Sequence, residues 1–274
     1  MQVGKLIDVL DRPGGRALLA LIASMAMTIR ERRFCYARYH NQMWIHVHGD
    51  RTIVESQVMI SPPEVVDAGV DELNFHAYTP KAGDVVLDAG AGVGRETAPL
   101  SRLVGPTGKV LSLEAHPATL AMLDEMVRRN GLTNVATFGV ALSDEDGTLV
   151  ISDDMDLHEA NRVTSDGPGI KVKAQSLATF LDENGIDHVD YVKMNIEGAE
   201  LPSLAAFADR LGEIDHICVS CHDFVADRTG DESLRTMDQV RAILEGAGFE
   251  VNAREGETRA AVRFYLYARN KQTT

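Results

Sequence analysis

Cysteine is scarce in this 274-residue chain, which has three in all. So few exclude a disulfide framework and fit a reducing compartment, so the expected location is the cytoplasm. Long apolar runs are missing as well: the longest, Ala17 to Ile29, is too short to cross a bilayer and lacks a small-residue cleavage site. Neither a transmembrane segment nor a signal peptide is expected. Positive charge is the third shortage, with 27 Lys and Arg against 41 Asp and Glu and a formal net charge of -14. That balance argues against a nucleic acid partner. Arg12, Arg16, Arg30, Arg32, Arg33 and Arg38 nevertheless gather in the first forty positions, as a solvated helix end or as a contact for an acidic partner or membrane surface. Repeats and low-complexity blocks are absent too. What is present, 45% hydrophobic and 25% charged residues, is the make-up of an ordinary globular protein.

The most informative stretch is Val85-Val86-Leu87-Asp88-Ala89-Gly90-Ala91-Gly92-Val93-Gly94, an apolar strand running into a glycine-rich turn. Glycines at alternate positions allow positive φ and let a ligand approach where a Cβ would collide, beside the N–H groups of the helix that follows. The spacing is G-x-G-x-G and not the G-x-G-x-x-G of dinucleotide sites, which favours an adenosyl ligand without a pyrophosphate. The next strand, Lys109–Leu113, ends at Glu114, where a carboxylate can accept both ribose hydroxyls. That acid serves S-adenosylmethionine and NAD equally. An NAD(P)-binding Rossmann oxidoreductase is therefore one rival, and a non-catalytic adenosyl-binding scaffold is another.

Alternation of strands and helices from residue 84 onward predicts an α/β, Rossmann-like doubly wound sheet. Strands are expected near 84–89, 109–114, 134–140, 189–195, 214–220, 248–252 and 261–268, the last two pairing as an antiparallel hairpin because no helix separates them. An excursion between about 148 and 173 carries Thr148–Ile151, Ile170–Lys173 and an acidic loop placed where substrates are chosen. The turn Thr79–Asp84 divides the chain into an N-terminal extension, 1–78, and a cofactor-binding domain, 79–274. The extension should hold a helix near 15–31 and a hairpin from 43–48 and 52–54. Its nearly continuous apolar helix suggests burial on several sides, as a cap over the acceptor pocket or in a homodimer interface, with a peripheral membrane helix as the remaining option.

Seven such strands, Asp88-x-Gly90-x-Gly92-x-Gly94 and the acid at 114 resemble the class I S-adenosylmethionine-dependent methyltransferases. Val85–Ala91, Glu114-Ala115-His116-Pro117, Gln175-Ser176-Leu177 and above all Asp190-Tyr191-Val192-Lys193-Met194-Asn195-Ile196-Glu197-Gly198-Ala199-Glu200 are similar to the FkbM family, over about residues 72 to 269. The resemblance implies S-adenosylmethionine as cofactor and O-methylation of a small-molecule acceptor, a hydroxyl on a sugar or secondary metabolite. It implies that Asp88, Gly90, Ala91 and Gly92 shape the methionine end, Glu114 and Ala115 the ribose, and Ala141 with Leu142 the adenine. Asn195 stands where the family usually has an aspartate, which removes one potential base or metal ligand.

On the acceptor side Asn195, Glu197 and His222 are the candidates. Glu197 could receive an ammonium or a hydroxyl, or merely satisfy a helix dipole, as Glu200 is expected to do. His222 is the expected base, because a neutral imidazole titrates near working pH. Cys218-Val219-Ser220-Cys221-His222 matches C-x-x-C-H, yet strand residues three apart face opposite sides and cannot grip one haem. Zinc fails for want of a second ligand pair, so no metal is expected.

Overall fold

Short apolar runs become strands wherever a turn residue ends them. The protein is represented by a computed structural model that describes residues 7, 9–153, 169–254, 256–260 and 262–272. His158 and most of the acidic loop expected to choose substrates lie outside the described residues. The first half comprises α1 (Arg16–Glu31), β1 (Cys35–His40), β2 (Met43–His48), β3 (Arg51–Glu55), α2 (Pro63–Asn74), β4 (Val85–Ala89), α3 (Thr97–Val104), β5 (Lys109–Leu113), α4 (Pro117–Asn130) and β6 (Val135–Phe138). Then follow β7 (Ala141–Ser143), β8 (Gly147–Ile151), β9 (Ile170–Ser176), α5 (Leu177–Glu183), β10 (Val189–Met194), α6 (Glu200–Ala206), β11 (Ile214–Ser220), α7 (Asp223–Thr229), α8 (Met237–Gly246), β12 (Phe249–Ala253) and β13 (Tyr265–Asn270).

Seven strands form the main sheet in the order β12, β13, β11, β10, β4, β5, β6. All neighbours run parallel except β13, which is antiparallel to β11 and to β12. This is the class I methyltransferase arrangement expected from the sequence. Alternate residues supply two cores, as a sheet covered on both faces requires. Val86, Val110, Tyr191 and Cys218 pack with Leu100 and Val104 of α3 and Val70 of α2. Leu87, Leu111, Val192 and Ile217 pack on the opposite face with Phe180, Leu204, Val240 and Leu244. Cys218 and Cys221 fall in these two different cores, as the strand geometry required, and burial pushes the Cys218 thiol up to about 12.

Two features of the main domain differ from expectation. The third strand stops at Phe138, and β7 leaves the main sheet to pair with β9, which also pairs with β8. The last strand begins at Tyr265, not 261. Ser176, in a motif carried by the family resemblance, has a plain structural role: its hydroxyl caps α5 by accepting from the Thr179 N–H.

The extension holds more than a helix and a hairpin. β1, β2 and β3 form a three-stranded antiparallel sheet, and the β1–β2 turn uses Asn41 and Gln42, both at positive φ (49° and 63°). An Asn-Gln pair in a turn usually made by Asn-Gly hid β1 from pattern reading. β2 alternates strictly: Trp44 faces α1, while Met43 and Ile45 face Val93, Met122 and Leu123 of the main domain. α2 was not anticipated either. It follows Pro62-Pro63, and Tyr191 and Tyr267 donate their hydroxyls to the carbonyls of Asn74 and Leu73. A division at residue 78 thus leaves α2 with the extension although it packs on the main sheet.

Only one side of α1 is buried, through Leu19, Ala23 and Met27. Ser24 and Thr28, one turn apart, accept the Ala37 and Cys35 N–H groups and so cover the open edge of β1. Burial on several sides is not what this chain alone provides. Among the described residues no helix is long and apolar enough to cross a membrane.

Ile45, fully buried between the small sheet and α4, tests the junction. Ile45→Ala should cost about 2–5 kcal/mol in urea unfolding. A single cooperative transition is expected, and an early separate transition would show the small sheet to be independent.

Candidate active site

Strand order alone brings the carboxyl ends of β4, β5, β10 and β11 together. At that edge lies a cavity of about 330 Å³. Gly90, Ala91, Gly92, Glu114, Ala115, Ala141, Leu142, Asn195, Glu197 and His222 all line it, so the expected cofactor and acceptor residues share one space. Asp88 lies beneath, fully buried. Among the described residues, none that lines this cavity precedes Gly90.

The glycines have different duties. Gly90 (φ +73°) crosses so close to β10 that a Cβ would stand 1.9 Å from the Asn195 carbonyl oxygen. At Gly92 (φ +56°) a Cβ would meet nothing within 4 Å. Its missing side chain therefore leaves space in the cavity rather than relieving a contact with the protein. The Gly90 and Ala91 N–H groups donate to the Leu113 carbonyl, which fixes the turn on β5.

Lys193, unremarked as a site residue in the sequence, holds this turn from below. Its Nζ donates to the Gly90 carbonyl at 2.6 Å and lies 3.1 Å from Asp88 Oδ1, with both side chains buried. Burial alone would lower the Lys193 pKa, but Asp88 and Glu96 outweigh it and raise it. Thr97 donates to Asp88 Oδ2 and so ties the start of α3 to the same pair. Glu96 was also missed; burial raises its pKa. Glu114 accepts the Gly92 and His116 N–H groups, one on each oxygen, and burial is the main cause of its raised pKa.

On the far side Asn195 is held by its own N–H, which donates to the Ala89 carbonyl, while its buried Oδ1 has no partner among the described residues. Glu197 is at φ +54°, a left-handed conformation that is strained for a residue with a side chain. Glu200 enforces it. This buried carboxylate accepts the Ile196 and Gly198 N–H groups on either side of Glu197. His222 sits between the two acids, Nε2 3.2 Å from Glu197 Oε1 and Nδ1 3.1 Å from Glu200 Oε1. Burial alone would depress its pKa, but the two carboxylates overcome this and raise it to about 10. The two carboxylates thus favour the imidazolium form of His222 over the neutral imidazole expected from residue type. Ser220, Phe224 and Tyr265 complete this wall, and reading the sequence alone did not find them.

The residues suit an adenosyl sulfonium. Gly92 leaves room, Val140, Ala141 and Leu142 offer an apolar wall, and Glu96 and Glu114 supply negative charge while the cavity's cations are paired. Lys193 faces Asp88, Arg95 faces Glu55 at 2.7 Å, and His222 faces two carboxylates. The family model described as Methyltransferase FkbM domain matches residues 88–251. That for protein-L-isoaspartate(D-aspartate) O-methyltransferase matches residues 2–150. The chain is 40% identical over 63 residues to a 23S rRNA (uracil(1939)-C(5))-methyltransferase RlmD of Psychrobacter arcticus, covering 23% of this chain and 12% of that protein. A crystal structure of methyltransferase FkbM from Methylobacillus flagellatus is 16% identical, with a TM-score of 0.48, over 76% of this chain and 50% of the other. Aeropyrum pernix fibrillarin with bound S-adenosyl-L-methionine is 13% identical, with a TM-score of 0.46, over 85% and 97%.

Because the folded pKa of His222 lies above its free value of 6.5, its ion pairs stabilise fully below about 6.5 and fade as pH rises through about 10. The unfolding free-energy gap between wild type and His222→Gln should shrink across that window. A gap that instead stayed flat across that window would show a neutral histidine.

Proposed function

Since this chain belongs to the methyltransferase FkbM domain family, with S-adenosylmethionine as its cofactor, we propose that it methylates oxygen on a hydroxyl of a sugar or secondary metabolite in the cytoplasm. The observation that carries this reading is the charged His222 bridging Glu197 and Glu200 beside the unpartnered Oδ1 of Asn195. Together they offer a hydroxyl one acceptor in Asn195 and one proton-accepting carboxylate in Glu197. When bound, the cofactor supplies a methyl group already activated by its sulfonium. Asp88 and Lys193 keep the glycine turn in place, Glu114 accepts from the ribose hydroxyls, and Val140, Ala141 and Leu142 flank the adenine.

Alignment of the acceptor by Asn195 and Glu197 is the larger contribution, since well-oriented reactions reach effective molarities of about 10⁵–10⁸ M. Glu197 takes the hydroxyl proton on a carboxylate oxygen, a contribution of about 10²–10⁴-fold. His222 acts through Glu197 by orienting it and balancing its charge, which makes it a positioning residue. The strained backbone at 197 supports this reading, because such strain persists where the surrounding structure over-determines a functional side chain.

Glu197→Gln should lower methyl transfer about 10²–10⁴-fold with little change in cofactor affinity measured by calorimetry. His222→Gln should cost less. The wild-type rate should show no acid limb with a midpoint near 6.5, the free histidine value; such a limb, abolished in His222→Gln, would return the base role to the imidazole. Glu114→Ala should weaken cofactor binding by about 1–3 kcal/mol. Release of S-adenosylhomocysteine across sugar and secondary-metabolite hydroxyls, read with product mass, tests the acceptor class, and methylation confined to nitrogen or carbon would overturn it.

A further inference from the structure

Five large apolar side chains on the outer face of α1 point to solvent. Leu18, Leu21, Ile22, Met25 and Ile29 are 45% to 75% exposed, and Phe34, just beyond the helix, is 76% exposed. Their spacing places all five on one stripe of about 100°. From Leu18 to Ile29 that stripe is about 17 Å long. The opposite face is already committed to the small sheet through Leu19, Ala23 and Met27. Of the helix's two apolar faces, one serves the fold and the other is covered by none of the described residues.

The charge around the stripe identifies what covers it. Residues 9–40 carry six arginines and two acids, in a chain of net charge -14. Both acids are engaged: Asp11 with Arg16 and Trp44, and Glu31 with Arg33 and His48. Arg12, Arg30, Arg32 and Arg38 are exposed around the apolar residues. A second copy of this chain is a poor occupant, because a two-fold interface sets a face against itself and would bring these arginine rims together. We propose that the outer face of α1 docks on an anionic lipid surface, with Leu18, Leu21, Ile22, Met25, Ile29 and Phe34 entering the acyl boundary and the arginines meeting headgroup phosphates. An apolar stripe with a basic rim is the pattern of an interfacial helix lying in the membrane plane. The acidic remainder of the chain then faces away from the lipid.

The test is co-sedimentation of the full chain with vesicles of phosphatidylcholine mixed with phosphatidylglycerol, and with vesicles of phosphatidylcholine alone. Wild type should sediment with the mixed vesicles, be released as salt is raised, and stay in solution with the neutral ones. Met25→Glu, at an exposed position that leaves the folded-state circular dichroism and melting temperature unchanged, should abolish sedimentation. Arg30→Gln should weaken partition about fivefold. Failure of wild type to sediment with the mixed vesicles, or equal sedimentation by Met25→Glu, overturns the proposal. So does a dimer in sedimentation equilibrium that Met25→Glu dissociates while vesicles leave the wild type unbound, which would make a second copy the occupant.

Discussion

The contact between Lys193 and Asp88 is the constraint on which the site depends. These residues are register partners at the carboxyl ends of β10 and β4, and both are buried. Two desolvated charges cost several kcal/mol each unless their geometry and hydrogen bonds compensate. Here they do, because the ammonium also reaches the Gly90 carbonyl and the carboxylate also takes the Thr97 hydroxyl. One ion pair thereby fixes two strands, the glycine turn and the start of α3. Asp88 lies beneath the cavity and Lys193 reaches its lining, so the pair sets positions with each charge already matched by the other.

A second buried carboxylate does the same on the acceptor side. Glu200 bonds the backbone on both sides of Glu197 and faces His222, so the left-handed residue at 197 has no relaxed alternative while Glu200 is in place. The sequence suggested that Glu200 serves a helix start, and it is the first residue of α6. Its larger effect is on its neighbours. Together with Glu197 it raises the pKa of His222 against the effect of burial.

What could be read in advance was local. A strand, a glycine turn and an acid after the next strand are contiguous signals, and Gly90, Gly92 and Glu114 meet at one cavity as their spacing implied. Lys193 and Glu96 escaped notice because their importance arises from register between β4 and β10, about a hundred residues apart. The state of His222 escaped for a related reason. Residue type indicates a group that titrates near neutrality, but two carboxylates brought in after β10 move it to about 10. β1 was hidden by turn chemistry, since Asn41 and Gln42 adopt a conformation for which glycine is the usual marker.

None of the described residues of the N-terminal sheet lines the cavity, yet the sheet is not remote from it. Because β2 alternates, one side of this small sheet holds α1 through Trp44, and the other presses Met43, Ile45 and Val54 against Ala91 and Val93 of the glycine turn. Glu55, at the end of β3, pairs with Arg95, which itself lines the cavity. The turn is thus held from two sides, by Lys193 beneath and by the extension behind. A shift of the small sheet cannot leave Ala91 and Val93 where they are, since close-packed interiors transmit displacement rather than absorb it. The exposed face of α1 and the glycine turn are therefore opposite sides of one thin layer, and whatever seats the helix also bears on the backbone that lines the cavity.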